Sequence, residues 1–208
     1  MNLVRNSSFE QNSFGQLNLN EYPIDPLSQI LIGEQPSELY KLCEFSSKDK
    51  FSLLYRASQD GFGSNNFHSK CDGKGNTLTI LKANGFIFGG FTTKSWDSTS
   101  FWKSDPNAFL FSLTNKDNKP CKMNIDQNKH QNAIYCHSYM GPSFGFSAFG
   151  KGFDIHIVDR ANIVKESYSN LGYTYKQPRY AFGTNEAQSF LAGSYKFQLS
   201  EIEVYQKE

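Results

Sequence analysis

The chain has 208 residues, of which 38% are hydrophobic and 15% are aromatic, including 19 phenylalanines. Its 21 basic and 20 acidic side chains leave a formal net charge of +1, which argues against a general binder of nucleic-acid phosphates. Met1 to Glu10 contain no apolar signal-peptide core, and no apolar run approaches the roughly 18 residues of a membrane span. Four cysteines form no CxxC pair, so we expect reduced thiols and a cytoplasmic location.

Residues 1–26 differ in composition from the rest of the chain. They are rich in Asn, Ser and Gln and end in two prolines, Pro23 and Pro26. Two interpretations stay open: a disordered tail, or an extended arm whose spaced apolar side chains bind a partner. The candidate partner-binding residues of this arm are Phe9, Phe14, Leu17, Leu19 and Tyr22.

The remaining residues, 27–208, are predicted to form one domain that begins with short helices. Pro36 to Cys43 reads as a brief helix, and Ser46 with Asp49 stands at capping-box spacing before a second one. Ser64 is placed to cap a third, which carries Phe67 and His68. The second helix is predicted from the i, i+3, i+4, i+7 spacing of Phe51, Leu54, Tyr55 and Ser58.

From Thr77 onward the apolar period changes to two, which is typical of strands. Asn84-Gly85 predicts a two-residue hairpin turn, because both residue types accept a positive φ. A phase slip between Leu199 and Ile202 predicts a β-bulge near Ser200. Further strands are predicted at 108–113, 121–125, 133–137 and 153–157. The pattern predicts a mostly β (α+β) domain: a two-sheet antiparallel β-sandwich with a few short helices packed on it.

Residues 141–145 match G-x-S-x-G, the nucleophile motif of many hydrolases, with Ser143 as the candidate nucleophile. That motif requires a helix after the serine, whereas FSAFGKG is too rich in glycine to form one. Asp154 and His156 lie two residues apart on one predicted strand face, which is a poor layout for a triad. A loop that supports aromatic packing is therefore the favoured interpretation.

His68 and Cys71 lie one helical turn apart, beside Asp72. A closed zinc site would need two more ligands, so a buried thiol and a hydrogen-bonded imidazole are favoured, and no metal or cofactor is predicted. The stretch from Asp72 to Gly75 lacks the spacing of a phosphate or calcium loop and reads as a tight turn. Glu201 and Glu203 share a strand face, where we expect solvated carboxylates at a sheet edge.

Trp96, Phe101 and Trp102 cluster in a Ser/Thr-rich segment. The rings either cover the core or form an exposed binding patch, so they complete the candidate partner-binding residues.

Several motifs together resemble the TLDc domain family. In chain order they are SQIL, LLYRASQDGF, FHSKCDGKGNTLTILK, GFIFGGFTTKSW, SDPNAFLFSL and SEIEVYQ. Residues 150–178 look closer to the plant and protist branch than to the animal oxidation-resistance proteins.

The resemblance implies a β-sandwich without an established catalytic site. It implies a non-enzymatic protein-interaction module that protects against oxidative stress and docks on the vacuolar proton-pumping ATPase (V-ATPase), at an organelle membrane. One alternative is a structural component of a ciliary or cytoskeletal assembly on axonemal microtubules. Another is a weak redox or hydrolytic enzyme that uses Cys71 with His68, or Ser143.

Overall fold

Two antiparallel sheets account for the strands of the described residues, which are 28–147 and 152–208 of the computed structural model. In spatial order the first sheet consists of β1 (Phe51–Arg56), β12 (Glu201–Lys207), β2 (Thr77–Ala83), β3 (Phe86–Thr92), β5 (Phe109–Thr114) and β6 (Cys121–Asn124). The second consists of β11 (Lys196–Phe197), β10 (Ser167–Ser169), β9 (Ile155–His156), β8 (Ser143–Phe144), β7 (Ile134–His137) and β4 (Thr99–Lys103). The predicted two-sheet β-sandwich is confirmed.

The helices are short, as predicted. They are α1 (Gln35–Cys43), α2 (Ala57–Asp60), α3 (Ser64–Cys71), a 3₁₀ turn (His130–Asn132) and α4 (Asn185–Ser189). Among the described residues, no helix has the length and apolar character needed to cross a lipid bilayer.

The hairpin between β2 and β3 has the predicted turn. Asn84 and Gly85 adopt φ values of 52° and 84°, and the Asn84 side chain donates a 2.8 Å hydrogen bond to the carbonyl of Ala192. The turn sets the register in which Ala83 faces Phe86, so the alternating residues of both strands stay on their buried faces.

The first sheet is buried on both faces. Leu110 packs into the core between the sheets, whereas Phe109 and Phe111 pack on the outer face. That outer face is covered by α1, through Leu39 and Tyr40. Burial on two sides explains why the strand FLFSLT is almost continuously apolar rather than alternating.

The helix predicted over Phe51 to Ser58 is wrong. Phe51–Arg56 forms the edge strand β1, and only Ala57–Asp60 is helical. Ser46 and Asp49 form a turn instead of a helix cap: the Ser46 amide donates to the Asp49 carboxylate at 2.9 Å. The four residues whose spacing predicted a helix also fit a twisted edge strand. The register shift between Leu53 and Tyr55 interrupts the strand's regular alternation, and this is why the spacing resembled that of a helix.

The bulge predicted near Ser200 is also wrong. Lys196–Phe197 pairs in the second sheet and Glu201–Lys207 in the first, so the phase slip marks a crossing between sheets. The strand predicted over 153–157 shrinks to Ile155–His156, although Ile155 and Ile157 are buried as the alternation requires.

Candidate functional site: an aromatic band on the second sheet

Nine aromatic rings follow one another across the second sheet, on the face that points away from the first. The inward residues of this sheet, such as Ile134, Cys136, Phe144 and Phe197, belong to the core between the sheets. Their alternating neighbours point outward. We call the outward set the aromatic band: Trp102, Tyr135, His137, Tyr139, Phe146, Phe153, His156, Tyr168 and Tyr195.

The rings of the band are in direct contact. The Trp102 centroid lies 4.2 Å from that of Tyr135 and 4.6 Å from that of Phe146, and the ring of Phe153 stacks on His156 at 4.9 Å. Packing of this kind contributes about 0.5–1.5 kcal/mol per pair beyond burial, so the band is a rigid surface. Tyr139, which is 75% exposed, ends it on one side, and Tyr195, 39% exposed, on the other.

A concave pocket of about 430 Å³ opens at the Tyr195 end of the band. His156 and Tyr168 contribute rings to it, and Glu166 and Lys196 contribute charges. Gln188 reaches it from α4. The pocket therefore combines aromatic and hydrogen-bonding groups.

The structure brings Ser143 and His156 together, which sequence reasoning had discounted. Ser143 Oγ lies 3.4 Å from His156 Nδ1, on adjacent strands β8 and β9. Asp154 does not join them, because its carboxylate accepts hydrogen bonds from the amides of Gly172 and Thr174 at 3.0 and 3.1 Å. Ser143 is fully buried, and no helix follows it within residues 145–147, so the elbow of a hydrolase is not formed.

Burial shifts the pKa values of both His156 and Asp154. It lowers the pKa of His156 to about 4, so the imidazole is neutral at physiological pH. Burial raises the pKa of Asp154 to about 6, although backbone hydrogen bonds oppose that shift. The serine–histidine pair therefore has a neutral imidazole and no carboxylate to orient it, which disfavours nucleophilic catalysis.

His68 is held on both sides of its ring. Nδ1 lies 2.7 Å from the carboxylate of Asp72, and Nε2 lies 2.9 Å from the carbonyl of His137 and 3.1 Å from that of Met140. With polar partners on both ring nitrogens, His68 ties α3 to the loop that carries Tyr139. The residues that follow α3, from Asp72 to Gly75, form the predicted tight turn, in which Gly73 adopts a φ of 77°.

The cysteines are free, as predicted, and all four are buried. Burial raises the pKa of the Cys71 and Cys43 thiols far above the ordinary value, and that of Cys136 to about 11. Thiols of this kind are poor nucleophiles. In the part of the chain that the structure describes, no group of three or more His, Cys, Asp or Glu side chains is arranged to hold a metal ion.

The three aromatic candidates of the Ser/Thr-rich segment separate in the structure. Trp96 is fully buried against Phe67 and Phe144, and its indole donates to Thr77 Oγ1 at 2.9 Å, so it is a core residue and not a surface contact. Phe101, on the edge strand β4, is 70% exposed. Trp102 is half-buried inside the aromatic band.

The arm candidates Phe9, Phe14, Leu17, Leu19 and Tyr22 lie outside the described residues, as does the whole arm, 1–26.

The prediction that Glu201 and Glu203 are solvated at a sheet edge is wrong. Strand β12 lies inside the first sheet, and both carboxylates are buried. Glu203 accepts from Arg56 Nε at 2.9 Å and from Ser28 Oγ at 2.6 Å. It also accepts from the Gln29 amide and the Tyr205 hydroxyl. This cluster fastens the first described residues to the last strand.

A family model described as the TLDc domain matches residues 25–208, nearly the whole chain. The protein belongs to the TLDc family. The resemblance inferred from the motifs is thereby confirmed. A search of curated proteins found no match.

Proposed function

We propose that this TLDc protein is a non-enzymatic interaction module that docks on a large protein assembly through its aromatic band. Membership of the family implies a role in oxidative-stress protection and in interactions related to the V-ATPase. We take the V-ATPase as the assembly, reached from the cytoplasm at an organelle membrane. The arm, 1–26, is proposed to add a second contact.

The observation that carries the proposal is a continuous row of rings at the surface, exposed at its ends Tyr139 and Tyr195 and mostly half-buried between them. Monomeric soluble proteins rarely keep large contiguous aromatic surfaces exposed unless a partner covers them. Interface centres are enriched in Tyr, Trp and Phe, and rigid rings lose little entropy on binding. Tyr139, at one end of the band, is 75% exposed, and Phe101, on the edge strand β4 that also carries Trp102, is 70% exposed.

The enzymatic alternative has less support. A catalytic cysteine needs an accessible thiolate, whereas Cys71 is fully buried and its pKa is raised by that burial. Ser143 faces a neutral His156 without an orienting carboxylate. Neither group satisfies the geometry that its chemistry requires.

The test is affinity purification of the full chain from native extract, followed by identification of the co-purifying subunits. Two variants sharpen it. Tyr139→Asp places a charge at the exposed end of the band, and Ile32→Asp makes the same change at a residue that is 68% exposed on the covering layer of the first sheet. Thermal melts should show that both variants fold.

We expect V-ATPase subunits to co-purify with the wild type and with Ile32→Asp, and to be lost from Tyr139→Asp. Axonemal or tubulin subunits with the same dependence on Tyr139 would instead establish the structural alternative. Equal recovery of any assembly by both variants would exclude the band as the docking surface.

A further inference from the structure

The pocket at the Tyr195 end of the aromatic band has a curved aromatic floor. The ring centroids of His156 and Tyr168 lie 5.0 Å apart with a 46° tilt between their planes. Those of Tyr168 and Tyr195 lie 5.4 Å apart with a tilt of 43°. Successive rings therefore turn relative to one another and line the pocket of about 430 Å³; His156 and Tyr168 lie on neighbouring strands β9 and β10, and Tyr195 lies just before β11.

Polar groups stand around this floor. The Glu166 carboxylate and the Lys196 ammonium form an ion pair at the rim, with side chains 58% and 48% exposed. Exposed pairs of this kind contribute little energy, so both groups can turn to a ligand at small cost. Gln188 adds an amide whose backbone is fixed, since its carbonyl accepts from Ser169 Oγ at 2.9 Å and its N–H donates to Thr184 at 3.0 Å.

The pocket carries no net charge. Glu166 and Lys196 neutralise each other. The imidazole of His156 is neutral at physiological pH because burial lowers its pKa to about 4. A phosphate or carboxylate drawn to Lys196 would also meet the carboxylate of Glu166, and a cation drawn to Glu166 would also meet Lys196, so the pocket favours no charged ligand.

We propose that this pocket binds a pyranose ring of a neutral glycan. A sugar ring has an apolar C–H face that packs on aromatic rings, and hydroxyl groups at its edge that both donate and accept. The floor of Tyr168 and Tyr195 matches the first feature, and the rim of Glu166, Gln188 and Lys196 matches the second. Ligand sites usually combine an aromatic lining with a few placed polar groups in this way, and the pocket has the volume for one or two rings. The pocket shares His156, Tyr168 and Tyr195 with the aromatic band, but this inference does not rest on the proposed docking function, which is tested at Tyr139.

The experiment titrates the full chain with neutral sugars and follows backbone amide chemical shifts. The probes are glucose, galactose, mannose and N-acetylglucosamine, together with maltose, cellobiose and chitobiose. Inorganic phosphate serves as the charged comparison. We expect saturable shifts at the amides of Tyr168 and Lys196 with at least one sugar, at a Kd of about 1 mM or below, and no saturable shift with phosphate.

Variants locate the site. Tyr195→Ala should weaken binding at least about 10-fold, whereas Tyr195→Phe, which keeps the ring, should stay within about 3-fold of the wild type. Gln188→Ala should also weaken binding. Tyr139→Ala, at the far end of the band, should bind as the wild type does, and a thermal melt of each variant controls for folding.

Three results would overturn the proposal. The first is the absence of saturation with every sugar up to about 50 mM, which corresponds to a negligible binding free energy. The second is sugar binding that Tyr195→Ala leaves unchanged. The third is saturation by phosphate in place of sugar. None of these results bears on the Tyr139-dependent docking tested above, so the two ideas fail separately.

Discussion

Glu203 shows how one buried carboxylate can join distant parts of a chain. Its two oxygens accept from Ser28, Gln29, Arg56 and Tyr205. A glutamine at this position keeps the shape but replaces one acceptor with a donor and removes the negative charge that pairs with Arg56. We expect Glu203→Gln to lower the free energy of unfolding by about 3 kcal/mol, measured by denaturant titration.

Glu201→Gln is the matched control, two residues away on the same face. In the wild type a single oxygen of Glu201, Oε1, accepts from the amides of Ser58 and Ile202, each at 3.0 Å. The side-chain carbonyl of a glutamine can accept both of these hydrogen bonds. The cost should stay below about 1 kcal/mol. Equal losses in the two variants would show that the Arg56 contact does not distinguish Glu203.

The pair Asp154 and His156 predicts an unusual dependence of stability on pH. The pKa of His156 is about 4 when folded and 6.5 when unfolded, so its contribution to stability is lost as the pH falls from about 6.5 to 4. Asp154 has the opposite sign: its pKa is about 6 when folded and 3.8 when unfolded, so its contribution grows as the pH falls through the same range. Between about pH 6 and 4 the two effects oppose each other.

His156→Gln removes only the first effect. Relative to the wild type, the variant should therefore gain about 1–2 kcal/mol on going from about pH 7 to about pH 4.5. Melting temperatures of both proteins at the two pH values measure this. A difference between them that does not change with pH would show that His156 titrates normally.

At the scale of elements, strand β5 is buried on both of its faces. Phe111 is fully buried under α1, and Leu110 is fully buried between the sheets. Phe111→Ala should cost about 3–5 kcal/mol, because the substitution leaves a cavity between α1 and the sheet in a fully packed cluster. A shift in Tm of only a few degrees, equivalent to about 1 kcal/mol, would contradict this.

Strand β3 approaches its neighbours at a glycine. A β-carbon on Gly89 would lie 1.9 Å from the carbonyl oxygen of Thr79, a backbone atom that cannot move without breaking the sheet. Gly89→Ala should cost at least about 3 kcal/mol. Gly85→Ala, at φ 84° with open space around it, should cost only about 1 kcal/mol. Denaturant midpoints of the two variants test the ranking.

Local signals predicted the elements that local physics controls. The Asn84-Gly85 turn and the helix from Gln35 were predicted because turn chemistry and short-range spacing determine them. The strand β1 was not predicted, because the spacing of Phe51 and Tyr55 fits both a helix and a strand. Only the pairing of β1 with β12 decides between them. The burial of Glu203 likewise depends on Arg56, which lies 147 residues away.

At the scale of the whole molecule, the attachment of the arm is testable. Deleting residues 2–22 leaves the contacts of Ser28 and Gln29 with Glu203 intact, so the Tm should stay nearly unchanged while recovery of the partner assembly falls. Deleting 2–31 also removes the buried Ile30 and Leu31, and the Tm should fall by about 10 °C. Unfolding caused by the shorter deletion would make the arm part of the fold.

The aromatic band could not be found from the sequence. Its rings come from strands and from the loops beside them, between Trp102 and Tyr195, and no repeat or spacing connects them. Trp102 was singled out only because it lies near Trp96, which belongs to the core. The order of strands in the second sheet, which no local pattern encodes, places the rings side by side.

The position of β12 between β1 and β2 has a consequence for synthesis of the protein. Arg56 leaves the ribosome 147 residues before Glu203, so β1 waits while those residues are synthesised without the strand that pairs with it. Its open edge, and that of β2, are exposed on the nascent chain during this time, when unpaired strands are prone to aggregate. The first sheet therefore closes late, after residues 201–207 have emerged, and chaperones that shield nascent strands have the whole of that interval in which to act.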